Sequence, residues 1–228
     1  LEGKDYVNRY VQTLTHEMKS PVAAIQGAAE LLQEEMPPED RRKFLANIQT
    51  ETVRIQEAVD SLLLLASVES KKTLDHAESV NLRDLVRCAL EKIAVRIGVR
   101  GIHVADHFPD AAPMISGDRF LLERTILNLL ENAVDFTPEG GTVAVGARRQ
   151  DGCWKLAVED SGPGIPDYAL AHVFERFYSL PRPATGRKSS GLGLAFVKEV
   201  ALLHGGTVEL SNRAEGGARA VLSLPELA

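Results

Sequence analysis

The sequence predicts a helical hairpin followed by a two-layer α/β domain, an α + α/β architecture. Its 228 residues fit two small domains, since one domain commonly has about 100 to 200 residues. Apolar residues recur in steps of three and four through the N-terminal third, which is typical of long amphipathic helices. Beyond a polar stretch, helix and strand signals alternate to the C-terminus, which indicates a mixed sheet covered by helices. We place the domain boundary in that stretch, with domains at 1–75 and 76–228.

Composition and charge argue against several functional classes. Hydrophobic residues make up 44% of the chain and charged residues 25%, as in a folded globular protein. The net charge of −6 argues against nucleic acid as a partner, because that binding depends on Lys and Arg at phosphates. Cys88 and Cys153 provide neither a disulfide framework nor a CxxC metal site, which suits a reducing compartment.

The sequence also bears on localisation. No apolar run approaches the ~18 residues that a membrane helix needs, so we expect no segment to span a bilayer and the chain as given to be soluble. It begins at Leu1 and has no signal-like segment, so we expect it to be a piece of something longer.

Two apolar seams predict the hairpin. The first runs from Val7 to Leu32 and the second from Phe44 to Ala66. Pro37 and Pro38 interrupt the pattern between them, because proline cannot continue a helix interior but is accepted in a first turn. One hairpin covers such long apolar stripes poorly, and two hairpins commonly pair as a symmetric four-helix bundle. The seams therefore predict a homodimer.

The second domain shows helix and strand signals in alternation. Asp118 is a good N-cap for one of its helices, and period-two alternation marks its strands. The predicted elements are a helix from Leu82 to Ile97, a strand from Ile102 to His107, a helix from Asp118 to Phe136, strands at Thr142 to Arg149 and Trp154 to Glu159, a helix from Leu192 to Leu203, and strands at Thr207 to Asn212 and Ala218 to Leu224.

His16 is the first candidate for chemistry. It lies off the seam defined by Leu14 and Met18, so its imidazole is expected to face solvent. A single exposed histidine usually has no function, but Glu17 follows it directly. Pro21, one turn on, removes a backbone donor and bends the helix where a straight one would be simpler. This kink favours a functional interpretation.

Three polar residues in the helix from Asp118 form a second candidate site. Asn128, Asn132 and Asp135 stack at spacings of four and three on one face. Asparagine is a mediocre helix former, so two of them one turn apart favour ligand contacts. An amide oxygen is the kind of hard ligand that Mg²⁺ accepts. A solvated polar face is the alternative for this helix alone.

Two glycine-rich segments, 160–166 and 190–195, form a third candidate site. Glycine before a helix lets the backbone approach a phosphate, which the N-terminal amides attract. Neither segment matches the P-loop or the dinucleotide fingerprint. Between them, Arg187 and Lys188 belong to a flexible basic flap that can close over anionic phosphates.

Taken in order, these segments resemble the catalytic core of the sensor histidine kinases of two-component systems. The resembling motifs are the H box at His16, Glu17 and Pro21, the N box at 128–133, the first glycine box at 160–164, the F box at 174–178 and the second glycine box at 191–194. The resemblance implies a dimerisation and histidine phosphotransfer hairpin. It implies that the second domain is an ATP-binding sandwich of the Bergerat type, shared with Hsp90-like ATPases.

The resemblance also implies roles for the H-box residues. His16 would take the γ-phosphoryl group of ATP, with Glu17 holding or accepting the proton of its other nitrogen. The phosphoryl group would then pass to an aspartate on the receiver domain of a response regulator. Ser20 stands where related kinases with phosphatase activity often carry Thr or Asn, so dephosphorylation of the regulator stays possible.

For the nucleotide, the resemblance implies that Asp160 accepts the adenine amino proton and Asn132 ligates Mg²⁺, with Asn128 supporting the phosphates and metal. Backbone approach to ATP would occur at Gly162, Gly164, Gly191 and Gly193. Arg187 or Lys188 would neutralise phosphate charge. The stimulus-sensing part would lie upstream, and any membrane attachment would come from a segment absent from this chain. The chain itself would be the cytoplasmic portion of an inner-membrane sensor.

The sequence departs from the family pattern at two further places. The family commonly has a basic residue where Asp135 stands, so one phosphate contact is expected to be missing or moved. Ser189 and Ser190 replace glycines that are common there, which is expected to stiffen the flap. Two other functions are open to this sequence: a degenerate kinase that serves as a dimeric binding scaffold, and a Bergerat-fold ATPase. Such ATPases carry a glutamate four residues before the metal asparagine, where this chain has Asn128.

Overall fold

The structure is a computed structural model that describes residues 18–184, 186 and 188–227. His16, Glu17 and Arg187 lie outside the described residues. Helix α1 covers 18–31 of the described chain and contains Pro21. Helix α2, Pro38–Ser70, begins with the second proline of the turn and has Glu39 and Asp40 in its first turn, where carboxylates favour the helix dipole. The two predicted helices are thus present.

Contacts divide the chain into two compact units between Leu64 and Leu65. The end of α2 therefore belongs to the second unit, in which Leu65 is 1% and Val68 2% exposed. The domain boundary at 75/76 stays a prediction about how the protein is organised.

The second unit is a mixed five-stranded sheet with helices packed on one face. The sheet strands are β2 (His103–Asp106), β4 (Thr142–Gln150), β5 (Cys153–Asp160), β6 (Thr207–Asn212) and β7 (Ala218–Pro225), in the order β2-β4-β5-β7-β6. Only the β2–β4 pair among them is parallel. The helices are α3 (Leu82–Val99), α4 (Arg119–Phe136), the short α5 (Asp167–Leu170) and α6 (Gly193–Leu203). The two-layer sandwich expected from the resemblance is confirmed.

Local sequence signals account for the starts of α3 and α4. The Asn81 side chain accepts a hydrogen bond from the backbone of Arg83 and caps α3. Asp118 caps α4 in the same way through the backbone of Leu121, as predicted. The buried core contains mainly aliphatic side chains from α3, α4 and the inner sheet face, including Leu82, Leu85, Leu122, Ile126, Leu130, Leu156 and Leu222.

A small second sheet was not predicted. Strand β1 (Glu78–Asn81) pairs antiparallel with β3 (Met114–Gly117), and Val80 and Ile115 are fully buried. Four-residue strands are too short to show a clear period of two, so the sequence around Glu78 indicates only a polar boundary. None of the helices in the described part of the chain has the length and apolar character needed to cross a bilayer. Both cysteines are free thiols.

Candidate functional site

Asp160 is the last residue of β5, and only one oxygen of its buried carboxylate accepts hydrogen bonds from the described residues. It is 7% exposed, and its Oδ1 accepts hydrogen bonds from the backbone N–H groups of Gly162 at 2.8 Å and Ala218 at 3.1 Å. Burial raises the pKa of this carboxyl, and the two backbone donors and Arg213 oppose the rise. Within the described residues, Oδ2 accepts no hydrogen bond, so it is the atom that can accept a donor from a ligand.

Two glycines allow the backbone to pack closely around the Asp160 carboxylate. A Cβ on Gly162 would lie 2.5 Å from the carbonyl oxygen of Phe136, and one on Gly217 would lie 1.9 Å from the carbonyl oxygen of Asp160. Arg213 donates to that same Asp160 carbonyl at 2.9 Å. The Gly217 and Arg213 contacts were not predicted, because in the sequence they belong to an ordinary β-turn between β6 and β7.

Gly164 also has a structural explanation. Its φ of +78° lies in the left-handed region, and a Cβ there would meet Oδ1 of Asn212 at 2.9 Å. Asn212 holds this loop by accepting from the N–H of Ile165 and donating to its carbonyl, both at 2.7 Å. Gly162 and Gly164 are thus required by the protein's own packing, whether or not a ligand is near.

The second glycine box contains two glycines with different environments. Gly191 has φ +66°, and a Cβ there would lie 2.4 Å from the carbonyl carbon of Phe177, whose N–H donates to the Gly191 carbonyl at 2.9 Å. Phe177 itself has φ +63°, a strained value for a side-chain-bearing residue. At Gly193 a Cβ would make only ordinary contact with Asn128, at 3.6 Å. Gly193 is therefore where ligand approach best explains the glycine.

The N-terminus of α6 begins at Gly193 and has no side-chain cap, because its N-cap residue is Leu192. Its first backbone N–H groups have no intrahelical partners, and the helix dipole adds positive potential there. Asn128 faces this point and donates from Nδ2 to the Gly193 carbonyl at 3.5 Å, the upper limit of a hydrogen bond. The structure therefore places an anion-favouring helix end against the asparagine face of α4.

The polar face of α4 makes specific contacts. Oδ1 of Asn132 accepts from Nη2 of Arg182 at 3.1 Å, and Oδ2 of Asp135 accepts from Nε of the same arginine at 3.0 Å. Oδ1 of Asp135 also pairs with Arg96 at 3.1 Å. The polar face of α4 is therefore engaged in protein hydrogen bonds and ion pairs, and its contact with a ligand stays a prediction. Arg182 was not predicted, although two flanking prolines that restrict its backbone offered a signal.

The flap residues are only partly described. Lys188 is exposed, and Arg187 lies outside the described residues. Ser189 is bound to Ser179, because its N–H donates to Oγ of Ser179 at 3.0 Å and the two hydroxyls lie 3.0 Å apart. Of these two bonds, only the contact between the hydroxyls requires a serine at position 189, and the stiffening of the flap stays a prediction. In the other unit, Ser20 is an exposed residue of α1.

Two family models match the chain in the order of the motifs. The His Kinase A (phospho-acceptor) domain matches residues 6–71, and the Histidine kinase-, DNA gyrase B-, and HSP90-like ATPase matches residues 117–228. The sensor protein CreC of Escherichia coli strain K12 is 47% identical over 98% of this chain. The solved structure of the mycobacterial sensor histidine kinase MprB is 33% identical, with a TM-score of 0.58, over 66% of this chain and 98% of that one. The chain belongs to the sensor histidine kinases.

This histidine kinase chain spans 46% of the length of CreC, about half of that curated relative. Its motifs at 174–182 and 188–197 most resemble the CreC-type kinases on sequence alone, and the identity to CreC confirms that prediction. The structure of the histidine kinase ThkA in complex with the response regulator protein TrrA matches 99% of this chain and 64% of that chain. Its TM-score is 0.81 and its identity 21%, which shows a shared fold.

Proposed function

We propose that this kinase chain is an ATP-dependent protein-histidine autokinase that phosphorylates His16 and passes the phosphoryl group to an aspartate of a response regulator. The observation that carries the proposal is the pairing of two features in the second unit. One is the buried Asp160 carboxylate, one oxygen of which accepts no hydrogen bond from the residues that the structure describes. The other is the uncapped, glycine-led start of α6 beside the asparagine face of α4.

Asp160 suits adenine. An ionised carboxylate can only accept hydrogen bonds, and the exocyclic amino group of adenine can only donate them in this setting. The two backbone donors fix Oδ1 and so orient Oδ2 for the base. Desolvation by the surrounding chain strengthens such a bond, because competing water is excluded.

The α4 and α6 residues suit a Mg²⁺-bound triphosphate. The side-chain oxygen of Asn132 already accepts from a cationic guanidinium in this structure, so it is placed to bind a cation. An amide oxygen is a hard ligand that Mg²⁺ accepts alongside phosphate oxygens and water. When bound, Mg²⁺ would neutralise phosphate charge. Asn128 and the N-terminal amides of α6 would hold the phosphates, with Arg187 and Lys188 adding charge from the flap.

His16 is the proposed phosphoryl acceptor within the matched phospho-acceptor region. Its neutral imidazole nitrogen would form a bond to the γ-phosphorus as the bond to the β–γ bridging oxygen breaks, releasing ADP. The proton on the other imidazole nitrogen would pass to Glu17. The phosphoryl group would then move from His16 to a carboxylate on the receiver domain.

Partners follow from the hairpin. Apolar side chains remain exposed on it, which favours covering by a second copy in a homodimer: Val22, Leu31, Leu45, Val53, Val59 and Leu63.

The ThkA complex supports a response regulator as the other partner. Ser20, with its hydroxyl on the exposed face of α1, would serve dephosphorylation of that regulator. We propose that the chain is the cytoplasmic portion of an inner-membrane sensor.

An ATPase is the second candidate, but the position four residues before Asn132 carries Asn128, an amide that cannot act as a base for water. A degenerate scaffold is disfavoured because Asp160, Asn132 and both glycine segments are in place.

Incubation with γ-labelled ATP tests the proposal against both alternatives. Label on the protein that is acid-labile and base-stable identifies a phosphohistidine. Released phosphate without labelled protein would identify an ATPase. The absence of both labelled protein and released phosphate would identify a scaffold. His16→Gln should abolish labelling while leaving ATP affinity unchanged, because ATP binding belongs to the second unit. His76→Gln, which removes an exposed histidine outside every motif, is the matched control and should label like the parent. Label retained by His16→Gln would overturn the assignment of His16.

A further inference from the structure

Arg182 donates a hydrogen bond to the oxygen atom, Oδ1 of Asn132, that the proposed function assigns to the metal. Its Nη2 lies 3.1 Å from Oδ1 of Asn132 and its Nε lies 3.0 Å from Oδ2 of Asp135. The guanidinium also covers the ring of Phe136, with Cζ 4.7 Å from the ring centroid. All three partners lie in the last two turns of α4, and the Arg182 side chain is only 15% exposed.

This arrangement fixes the guanidinium of Arg182 against residues that are 47 and 50 positions away in the sequence. Its two nitrogens use the fork geometry of the group to join an amide oxygen and a carboxylate, and the ring below it stabilises the cation. Asp135 is needed for this, because it supplies the only carboxylate that bonds to Arg182 in the described residues.

A divalent cation cannot bind Oδ1 of Asn132 while Arg182 stays in place. Metal–oxygen bonds to Mg²⁺ are about 2.1 Å, so the two cations would share one oxygen and repel strongly in a partly desolvated site. Displacement of Arg182 would not leave Asp135 as an uncompensated carboxylate near the phosphates. Its other oxygen is already paired with Arg96 at 3.1 Å.

We propose that Arg182 competes with Mg²⁺ for Oδ1 of Asn132. Asp135 holds the arginine at that oxygen, and the binding of metal-bound nucleotide displaces it. The inference rests on the proposed function and deepens it. It gives the acidic residue at 135 a role, which is to hold the competing cation rather than to contact phosphate. Arg182 thereby sets how strongly nucleotide affinity depends on Mg²⁺.

Calorimetric titration of the full chain with ADP, in EDTA and at saturating Mg²⁺, measures this dependence as the ratio of the two Kd values. Arg182→Gln should raise the ratio of the EDTA value to the Mg²⁺ value by roughly fivefold or more, the effect of about one charge-assisted hydrogen bond. The Kd for adenosine, which has no phosphates, should stay unchanged. An unchanged or smaller ratio would overturn the inference.

Arg149→Gln is the matched control. Arg149 lies opposite Trp154 in the β4–β5 pair while Asp160 lies opposite Val143, so this residue is at the far end of the sheet, about 20 Å from the site. It removes the same charge and should leave the ratio unchanged. A shift as large as that of Arg182→Gln would mean that net charge alone explains the effect and would also overturn the inference.

A second measurement is made on the parent protein and needs a variant, the conservative Arg182→Lys, only for assignment. The ¹⁵N-labelled Nε–H resonance of Arg182, assigned by its loss in Arg182→Lys, should shift when ADP and Mg²⁺ are added and not when adenosine is added. An unmoved resonance with ADP and Mg²⁺ would overturn the inference.

Failure of the proposed function looks different. If Asn132→Ala keeps the full Mg²⁺ enhancement, or the parent binds neither ADP nor adenosine, the proposed metal site or nucleotide site is wrong. If Asn132→Ala loses the enhancement while Arg182→Gln leaves it unchanged, the site stands and only the competition is excluded.

Discussion

The imidazole of His204 joins the end of α6 to the start of α4, because its Nε2 accepts a hydrogen bond from the backbone N–H of Asp118 at 3.0 Å. Its Nδ1 lies 2.8 Å from the carbonyl oxygen of Val200, so Nδ1 carries the proton and the ring is neutral. Burial lowers the pKa of His204 below its ordinary 6.5. His204 is also the C-cap of α6.

Acid should therefore destabilise the second unit through His204. With a lowered pKa in the folded state, the unfolded chain binds more protons below pH 6.5, so this contribution is present above that pH and is lost as pH falls. The free energy of unfolding, followed by fluorescence of the sole tryptophan, Trp154, should fall with a slope approaching about 1.4 kcal/mol per pH unit. His204→Gln should flatten that slope. Exposed His103→Gln is the control, and an equal change there would contradict the prediction.

Asp160→Asn should separate stability from binding. The raised pKa of Asp160 means that its ionised form is disfavoured by burial, so wild-type stability should rise as pH falls through that pKa. The amide keeps an oxygen acceptor for Gly162 and Ala218 and removes the buried charge. The variant should be as stable as the parent or more stable at pH 7, and weaker for ATP and ADP alike by roughly 1 to 3 kcal/mol. Unfolding curves and calorimetry at pH 7 measure the two effects.

Exposed Asp151→Asn, in the β4–β5 turn, is the matched control for Asp160→Asn. It should change neither quantity. Full nucleotide affinity in Asp160→Asn would remove Asp160 from base recognition.

A fragment of residues 65–228 should be more stable than one of residues 79–228. Leu65 and Val68 belong to the second unit and are almost fully buried, and burying one such side chain contributes about 1.5 to 3 kcal/mol. Urea unfolding of both fragments should show a difference of at least about 2 kcal/mol. Both fragments should sediment as monomers, since the exposed apolar seams lie in the hairpin. Equal stabilities, or a dimeric 79–228 fragment, would contradict these expectations.

Alanine substitutions should distinguish the two glycines of the second glycine box. Gly191→Ala should destabilise the unit by at least about 1 kcal/mol, because φ is positive and the added Cβ meets the Phe177 backbone. Gly193→Ala should fold normally but weaken ATP more than adenosine, since its Cβ would point to space that a phosphate is proposed to use. Thermal unfolding and paired titrations test this. A stable Gly191→Ala variant, or unchanged ATP affinity in Gly193→Ala, would be contrary evidence.

Sequence patterns predicted the parts of the fold whose signals are local. The caps at Asp118 and the long apolar periods of α2 and α4 depend on neighbouring residues, and those elements occur where expected. The β1–β3 sheet was missed because each strand is four residues long and its pairing joins residues more than 30 positions apart. Arg182 was missed for a related reason, since its contacts with Asn132 and Asp135 span 50 and 47 positions. No local spacing encodes such a contact.

The contrast between Gly191 and Gly193 has an evolutionary consequence. A relative that loses its catalytic task but keeps its fold remains under selection for the left-handed turn at Gly191 and is released from selection at Gly193. Among divergent family members, replacement of the second glycine with retention of the first should therefore mark chains that survive as folded but inactive pseudokinases. Loss of both should mark a remodelled backbone.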